Sequence, residues 1–447
     1  MRLPRFTIEQ SDKEFYTSNS GMALVGLALD RYTSLAPRVA KAAPCRGIAT
    51  ADVLRCYLGL LCQGKSDFEA IRPFWEDDEF FAAALGVQKV PSPETLRQRL
   101  DQVAESVSRI VDFCTTEFLK KAQAALSPLP SGHMPLDLDV FTQDNSDTKK
   151  EGVSYTYRGF NGYAPIAAWL GLEGWCLEIE QRPGSQHAQE GFTPFLLRAI
   201  RKSRELTEAP LLVRLDSAHD AIATLVELLG AQVDFILKWN PRGTDVPTRA
   251  SAIFAAGKLI KEEKDRRIAL MSETVERAYT DEEGNKRTIK VRRVLRATES
   301  WFDRQGNRLL VPDYEIEGWW TNLAINKENV IELYKGHALC EQYHSELKSD
   351  LDLERLPSGK FATNALVMTC AGLAYNILRA VGQVGLMDKK RARRAKQRRR
   401  LKTVLQDLMY FAGRVIVHAR GWTLRFSRHA TGQAQVFART YNRFAYG

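Results

Sequence analysis

From Thr50 to about Leu126 apolar residues recur three and four positions apart, in VLRCYLGLLCQG, FFAAALGV and ETLRQRLDQVAESVSRIVDFCTTEFLKKAQAAL. That is the period of amphipathic helices. Gly64 and the turn VPSPET interrupt the pattern, and Ser92 before Pro93 and Glu94 predicts a capped helix start with proline in the first turn. Residues 1–130 are therefore expected to form an all-helical domain. Beyond the proline-containing stretch 127–135 the period shortens to two: MPLDLDVFTQ places Leu136, Leu138 and Val140 on one face and Asp137 and Asp139 on the other.

APIAAWLG and WCLEIEQR read as two further strands. EGFTPFLLRAIRKSRE is then helical, LLVRLD a buried strand, SAHDAIATLVELLG a helix and VDFILKW a strand. Three adjacent strands followed by helix-connected ones predict an α/β fold with a mixed sheet covered by helices. Charged, strand-rich sequence follows to about Asn326 (RTIKVRRVLRATESWF, NRLLVPDYEIEGWWTNLAI) and predicts a β-rich insertion. The expected organisation is a sheet domain over residues 131–240, the insertion over 241–326, the second part of the sheet domain over 327–388, and a basic C-terminal region over 389–447.

Composition refines this picture mainly through the placement of charge. Of the net charge of +10, residues 389–402 (KKRARRAKQRRRLK) carry +10 and residues 403–447 carry +5, which leaves the first 388 residues at −5. An apolar periodic segment follows the basic run, so the run belongs within the fold and reads as a polyanion-binding arm, with Arg393, Arg394, Arg398 and Arg399 as candidate phosphate contacts. Arg97 and Arg99 at the start of the predicted helix are candidates for a phosphate or base-edge contact, or ordinary surface arginines. No apolar run reaches the length of a membrane span and the first ten residues are too charged for a secretory leader, so a soluble cytoplasmic protein without membrane contact is expected. Seven scattered cysteines, never at metal-ligand spacing, read as core fillers in a reducing compartment.

Residues 334–348, YKGHALCEQYHSELK, carry the densest chemistry. At about 100° per residue Tyr334, His337, Glu341 and Lys348 fall within about 60° of one another on a helix, whereas Glu346 lies about 120° away. Elsewhere Asp139 lies near the end of the first strand and Asp216 ends LLVRLD. Three carboxylates without a cysteine or histidine partner set suit hard divalent cations such as Mg2+ or Mn2+.

The spacing Tyr334, His337, Glu341, Lys348 resembles the Tyr-Arg-Glu-Lys signature of the DDE transposases of bacterial insertion sequences, with an RNase H-like core. LDLDVF resembles the family's first Asp region and RLDSAHD its second, and the LDLD and RPFWEDDEFFAAALG patterns look most like insertion-sequence family thirteen-eighty. The resemblance implies Asp139, Asp216 and Glu341 as catalytic ligands of two Mg2+ ions, with Asp137 the alternative first ligand. It further implies phosphate contacts from Tyr334 and Lys348, and from His337, which stands where the family has Arg. Trp301, Trp319 and Trp320 are candidates to stack on a DNA base near the element's end, and Glu346 is expected to be dispensable for chemistry. His219 is expected on a helix surface near Asp216.

The implied activity is cleavage and strand transfer at terminal inverted repeats, by a homodimer on double-stranded DNA. Two alternatives stand beside it: a DNA-binding protein with an inactive core, and a related RNase H-like nuclease or resolvase.

Overall fold

The protein is described by a computed structural model covering residues 15–77, 79–281, 283–303, 305–387, 397–418 and 421–447. Contacts divide it into two compact units, Ala125–Ser345 and Met1–Ala124 with Glu346–Gly447. The chain thus passes from one unit to the other in the middle of the Tyr334–Lys348 stretch.

The Ala125–Ser345 unit is built on a nine-stranded sheet. Its strands are β1 (Met134–Val140), β2 (Ile166–Leu170), β3 (Trp175–Glu180), β4 (Leu211–Leu215), β5 (Asp234–Lys238), β6 (Lys258–Glu263), β7 (Arg266–Thr280), β8 (Lys286–Phe302) and β9 (Arg308–Thr321). They lie in the order β6-β7-β8-β9-β5-β4-β1-β2-β3. Strands β1, β4 and β5 run parallel, β2 pairs antiparallel with β1, and β3 pairs antiparallel with β2. This is the mixed sheet flanked by helices that the alternating sequence predicts, with the strand order of an RNase H-like core.

The β-rich segment does not stand apart from that sheet. Strand β9 pairs with β5 through Trp319, Trp320 and Thr321, so the long strands β7 to β9 extend the sheet beyond what would otherwise be an open edge. A helix, Val246–Ala256, lies within this strand-rich stretch; Pro247 in its first turn and the Thr248 hydroxyl donating to Asp245 mark its start. Leu212, Ile236, Leu270, Val294, Trp319, Val330 and Ile331 make one core joining central strands, insertion strands and the helix Lys327–Lys335.

The other unit is mainly helical, and its Pro93–Lys121 helix begins as read from the sequence, with Ser92 Oγ accepting from Thr95 N at 3.2 Å. That helix packs against Phe361–Leu386, which corrects the reading that no segment is long and apolar enough to span a membrane. Buried Asn364, Asn376 and Arg379 interrupt its apolar sequence and 89% of its most apolar window is buried, as in a core helix. Six of the seven cysteines are buried as expected, but Cys45 is exposed.

Glu346 is the polar centre of this unit. It is 1% exposed and accepts from Tyr375 Oη (2.9 Å), Arg379 Nη2 (2.6 Å), Arg398 Nη1 (2.7 Å) and Leu401 N (3.2 Å). Asp350, one turn on, accepts from Arg400 Nε at 2.9 Å and Lys402 N at 3.0 Å. The expectation for Glu346 concerned chemistry alone; these contacts give it a structural role. Glu346→Gln is expected to lower unfolding stability by about 2–3 kcal/mol, because two buried guanidinium groups lose their countercharge. Chemical denaturation checks this, and an unchanged midpoint would show that the two arginines find another acceptor.

Candidate active site

Side-chain alternation on two neighbouring parallel strands creates the site. Strands β1 and β4 are in register with Asp137 opposite Arg214 and Leu138 opposite Leu215. One alternation further on, the same face carries Asp139 and Asp216 at the C-terminal ends of the two strands. An ion pair therefore lies inside the sheet and a carboxylate pair lies at its rim, where ligands of open α/β sheets bind.

The inner pair is almost sealed. Arg214 Nε and Nη2 donate to Asp137 Oδ1 and Oδ2 at 2.7 and 2.6 Å, and its Nη1 donates to the Leu333 carbonyl at 2.8 Å. His337 Nδ1 lies 3.0 Å from Asp137 Oδ1. Burial pushes the Asp137 carboxyl up, but Arg214 and the His337 hydrogen bond outweigh it and hold the carboxyl below its usual range. For His337, burial pushes the imidazole down, while Asp137 and the charge of Asp139 more than offset it, so the net shift is upward. One guanidinium thus joins β1, β4 and the helix Lys327–Lys335. Gly336 is required by this arrangement, since a Cβ there would lie 2.3 Å from Arg214 Nη1.

Asp139 and Asp216 have no such partner: among the described residues neither lies within ion-pair distance of a lysine or arginine. The Asp139 side chain is 20% exposed, with Oδ2 3.8 Å from His344 Nδ1, and His344 stacks on Phe141. Burial, followed by the charge of Asp216 acting against the opposing charge of His337, pushes the Asp139 carboxyl up to about 7. The Asp216 side chain is 40% exposed; its Oδ1 accepts from Ala218 N, and burial raises its carboxyl as well. Glu341 is exposed on the helix Leu339–Ser345, which packs against β1. Gly174 in the β2–β3 turn accommodates the Tyr343 ring of that helix, because a Cβ would come within 2.3 Å of it.

The donors present favour a divalent cation at Asp139 and Asp216. Two carboxylates at the ends of adjacent strands repel one another; among the described residues no lysine or arginine pairs with either, and the charge of His337 offsets the repulsion only in part. A second cluster, Asp137, His337 and Cys340, has ligand atoms within 4.8 Å of one another. It is a poor site: Arg214 already neutralises Asp137, and burial holds the Cys340 thiol far above its ordinary value and hence protonated. Asp137 is thereby engaged as a structural anion, which leaves Asp139 as the carboxylate free to face a metal.

Several expected DNA contacts are corrected. Trp319 is 2% exposed in the sheet core and Trp320 is buried with Nε1 donating to Asp220, so neither indole can stack on a base. Trp301 is half-buried. His337 is buried against Asp137 rather than presented to a phosphate. Arg99 donates to Ile48 O and Thr50 Oγ1, tying the start of one helix to another, while Arg97 remains exposed beside Asp101. Arg398 is bound to Glu346, and Arg399 Nε donates to the Leu386 carbonyl. Arg393 and Arg394 lie outside the described residues.

Tyr334 is half-buried between Trp319 and His337, its phenol raised by burial and then by the charges of Asp216 and Asp139. Lys348 pairs with Glu354 at 2.8 Å in the other unit. His219 is buried, stacked on Phe192, and burial drives its imidazole down to about 3, so it sits neutral, 3.8 Å from Asp216.

Three features went unread in the sequence. Arg214, inside LLVRLD, is one alternation before Asp216 and so had a signal in the spacing. His344 had none. The YTYR segment interleaves aromatic and basic residues; Tyr155 and Tyr157 are about two-thirds exposed, and the Tyr157 hydroxyl donates to Val140 O beside Asp139.

A mixed sheet of this order with a carboxylate pair at its rim is the architecture of a DDE transposase. The model of the family "Transposase DDE domain group 1" matches residues 17–446, and the chain belongs to that family. Membership supports a DNA-transposing enzyme. Among solved structures, the chain is similar to that described as "Cryo-EM structure of piggyBac transposase synaptic complex with hairpin DNA (SNHP)", at 10% identity and a TM-score of 0.44, over 87% of this chain and 79% of that one. None of the curated proteins compared matches the chain.

Proposed function

We propose that the chain is the transposase of a bacterial insertion sequence, most like family thirteen-eighty, which binds terminal inverted repeats, cuts DNA strands and joins the liberated 3′-OH to target DNA. The observation that carries this reading is the carboxylate pair Asp139 and Asp216 at the ends of adjacent parallel strands, with no lysine or arginine paired to either among the described residues. Asp139, Asp216 and Glu341 would hold Mg2+ or Mn2+. When bound, the ions neutralise the scissile phosphate and lower the pKa of the attacking hydroxyl.

The protein's own groups orient these ligands. His344, stacked on Phe141, stands 3.8 Å from Asp139; Ala218 N holds Asp216; Arg214 bridges β1 and β4 through Asp137. Tyr155, Tyr157, Arg158, Arg97, Lys348 and the basic residues 389–396 are the proposed DNA contacts. The protein would act as a homodimer on double-stranded DNA in the bacterial cytoplasm, associated with the nucleoid.

The test is a labelled fragment carrying the inverted repeats that flank the gene, incubated with Mg2+ or Mn2+. Cuts at the repeat boundary are expected. A protein that binds such ends and never cuts them would instead be a DNA-binding protein with an inactive core.

Metal binding is expected to depend on pH in a defined direction. The Asp139 carboxyl is raised from 3.8 to about 7, so the metal-free native state holds a proton that the unfolded chain releases. Its contribution to stability is greatest below about pH 4 and is lost as pH rises through about 7. A bound cation must displace that proton, so the rise in Tm produced by Mn2+ should grow from pH 5.5 to pH 8 and then level off. Thermal unfolding with and without Mn2+ measures it, and a shift that shrinks with pH would place the ion elsewhere.

A further inference from the structure

Away from the carboxylates, the mainly helical unit contains a cavity of about 750 Å³. Its walls include Leu27, Phe80, Trp422, Phe426, Phe437 and Tyr441. Arg55, also in the lining, is 8% exposed, and Asp30 is the other charged lining residue. Its Nε donates to the Leu85 carbonyl at 2.7 Å, which fixes the plane of the guanidinium. Among the described residues the terminal nitrogens have no hydrogen-bond partner: the acid paired with them is Asp30, with Oδ1 3.9 Å from Nη1, and that side chain is 80% exposed. Gly86 lies beside them, since a Cβ there would be 3.4 Å from Arg55 Nη2.

The guanidinium of a largely buried arginine whose terminal groups face a cavity gains a charge-assisted pair from an anion that enters it. Burial in fact lowers the Arg55 pKa, in the direction expected of an undercompensated cation. The volume is that of small-molecule pockets, which pair apolar and aromatic walls with one charged group that sets orientation.

We propose that this cavity binds a small organic anion, a carboxylate or comparable single anionic head on a flat apolar body. The head would take the two Nη groups of Arg55, and the body would lie among Phe80, Trp422, Phe426 and Tyr441. A DNA backbone is a poor occupant, because Arg55 is largely buried and exposed Asp30 repels a polyanion.

The test uses 2-naphthoate and its neutral isostere 2-naphthamide, titrated into the full-length protein by calorimetry. Naphthoate should bind at one site per chain about tenfold or more tighter than the amide, as a charge-assisted pair predicts. Arg55→Met should bring the two ligands to equal affinity. Ala83→Trp, at an exposed lining position, should fill the space and abolish both without altering the Tm, which keeps the test decisive if Arg55→Met fails to fold. Equal affinity of the two ligands for the unmodified protein, binding of neither, or naphthoate binding that survives Ala83→Trp would each overturn the proposal. So would displacement of naphthoate by a short oligonucleotide, which would make the cavity part of a DNA surface.

Discussion

Asp139→Asn, Asp216→Asn and Glu341→Gln are each expected to reduce metal-dependent DNA cleavage by a thousandfold or more, while binding of terminal DNA persists. Each change removes a charge and nearly preserves the shape of the side chain. The loss should be several kcal/mol of transition-state stabilisation, about a factor of ten for every 1.4 kcal/mol. Stability should not fall. Asp139 and Asp216 are raised carboxyls whose burial opposes their charge, so the neutral amides relieve repulsion in the metal-free protein. The measurement is cleavage and gel shift on one labelled end fragment, with Tm recorded for each variant. Asp137→Asn separates the two aspartates of LDLD: it should lower Tm, which Asp139→Asn should not. If Asp137→Asn stayed stable and stopped cleavage while Asp139→Asn cut normally, the first metal ligand would be Asp137.

Arg214→Met is expected to cost about 3–5 kcal/mol, because it strands the Asp137 carboxylate in the sheet with only His337 beside it. It also releases the Leu333 carbonyl, and with it the helix leading to Glu341. Stability and positioning can be told apart with the double variant Asp137→Leu, Arg214→Met. Replacing both charges by apolar groups should recover much of the stability, since a buried ion pair and a well-packed apolar pair are often equivalent. Cleavage should stay low at a temperature where the double variant is folded, because the link between the two strands and the helix is still missing. Full recovery of both would reduce the pair to a packing element. A single variant as stable as the unmodified protein would mean that Arg214 contributes nothing net.

Much of this architecture was legible because it follows from local periods. A two-residue alternation set the three adjacent strands, and the parallel strands β4 and β5 were readable as short apolar runs separated by helical ones. The motifs LDLD and RLD also put Asp139 and Asp216 near strand ends, since each run of alternation or apolar residues stops there. Ser92 and Pro93 marked a helix start through their own hydrogen-bonding capacity.

The assignments that failed concern which neighbour a polar or aromatic group meets. Trp319 and Trp320 alternate along a strand, which put at least one of them in the core and left the other as a candidate to meet DNA. Both are covered, because β9 lies inside the sheet with neighbours on each edge and helices against it. Arg398 and Arg399 sit in a run whose composition speaks of polyanions, yet buried Glu346 binds the Arg398 guanidinium and the Leu386 carbonyl accepts from Arg399. Asp137 stood as the alternative to Asp139 in the sequence, and parallel register set Arg214 against Asp137.

The sequence by itself determined the mixed sheet, the helical segments and the carboxylates at the strand ends, because alternation and helical period act within a few residues. Only the tertiary structure decided which charges are neutralised. That depends on register between strands and on partners tens to hundreds of positions away, such as Asp137 with Arg214 and His337, and Glu346 with Arg379 and Arg398.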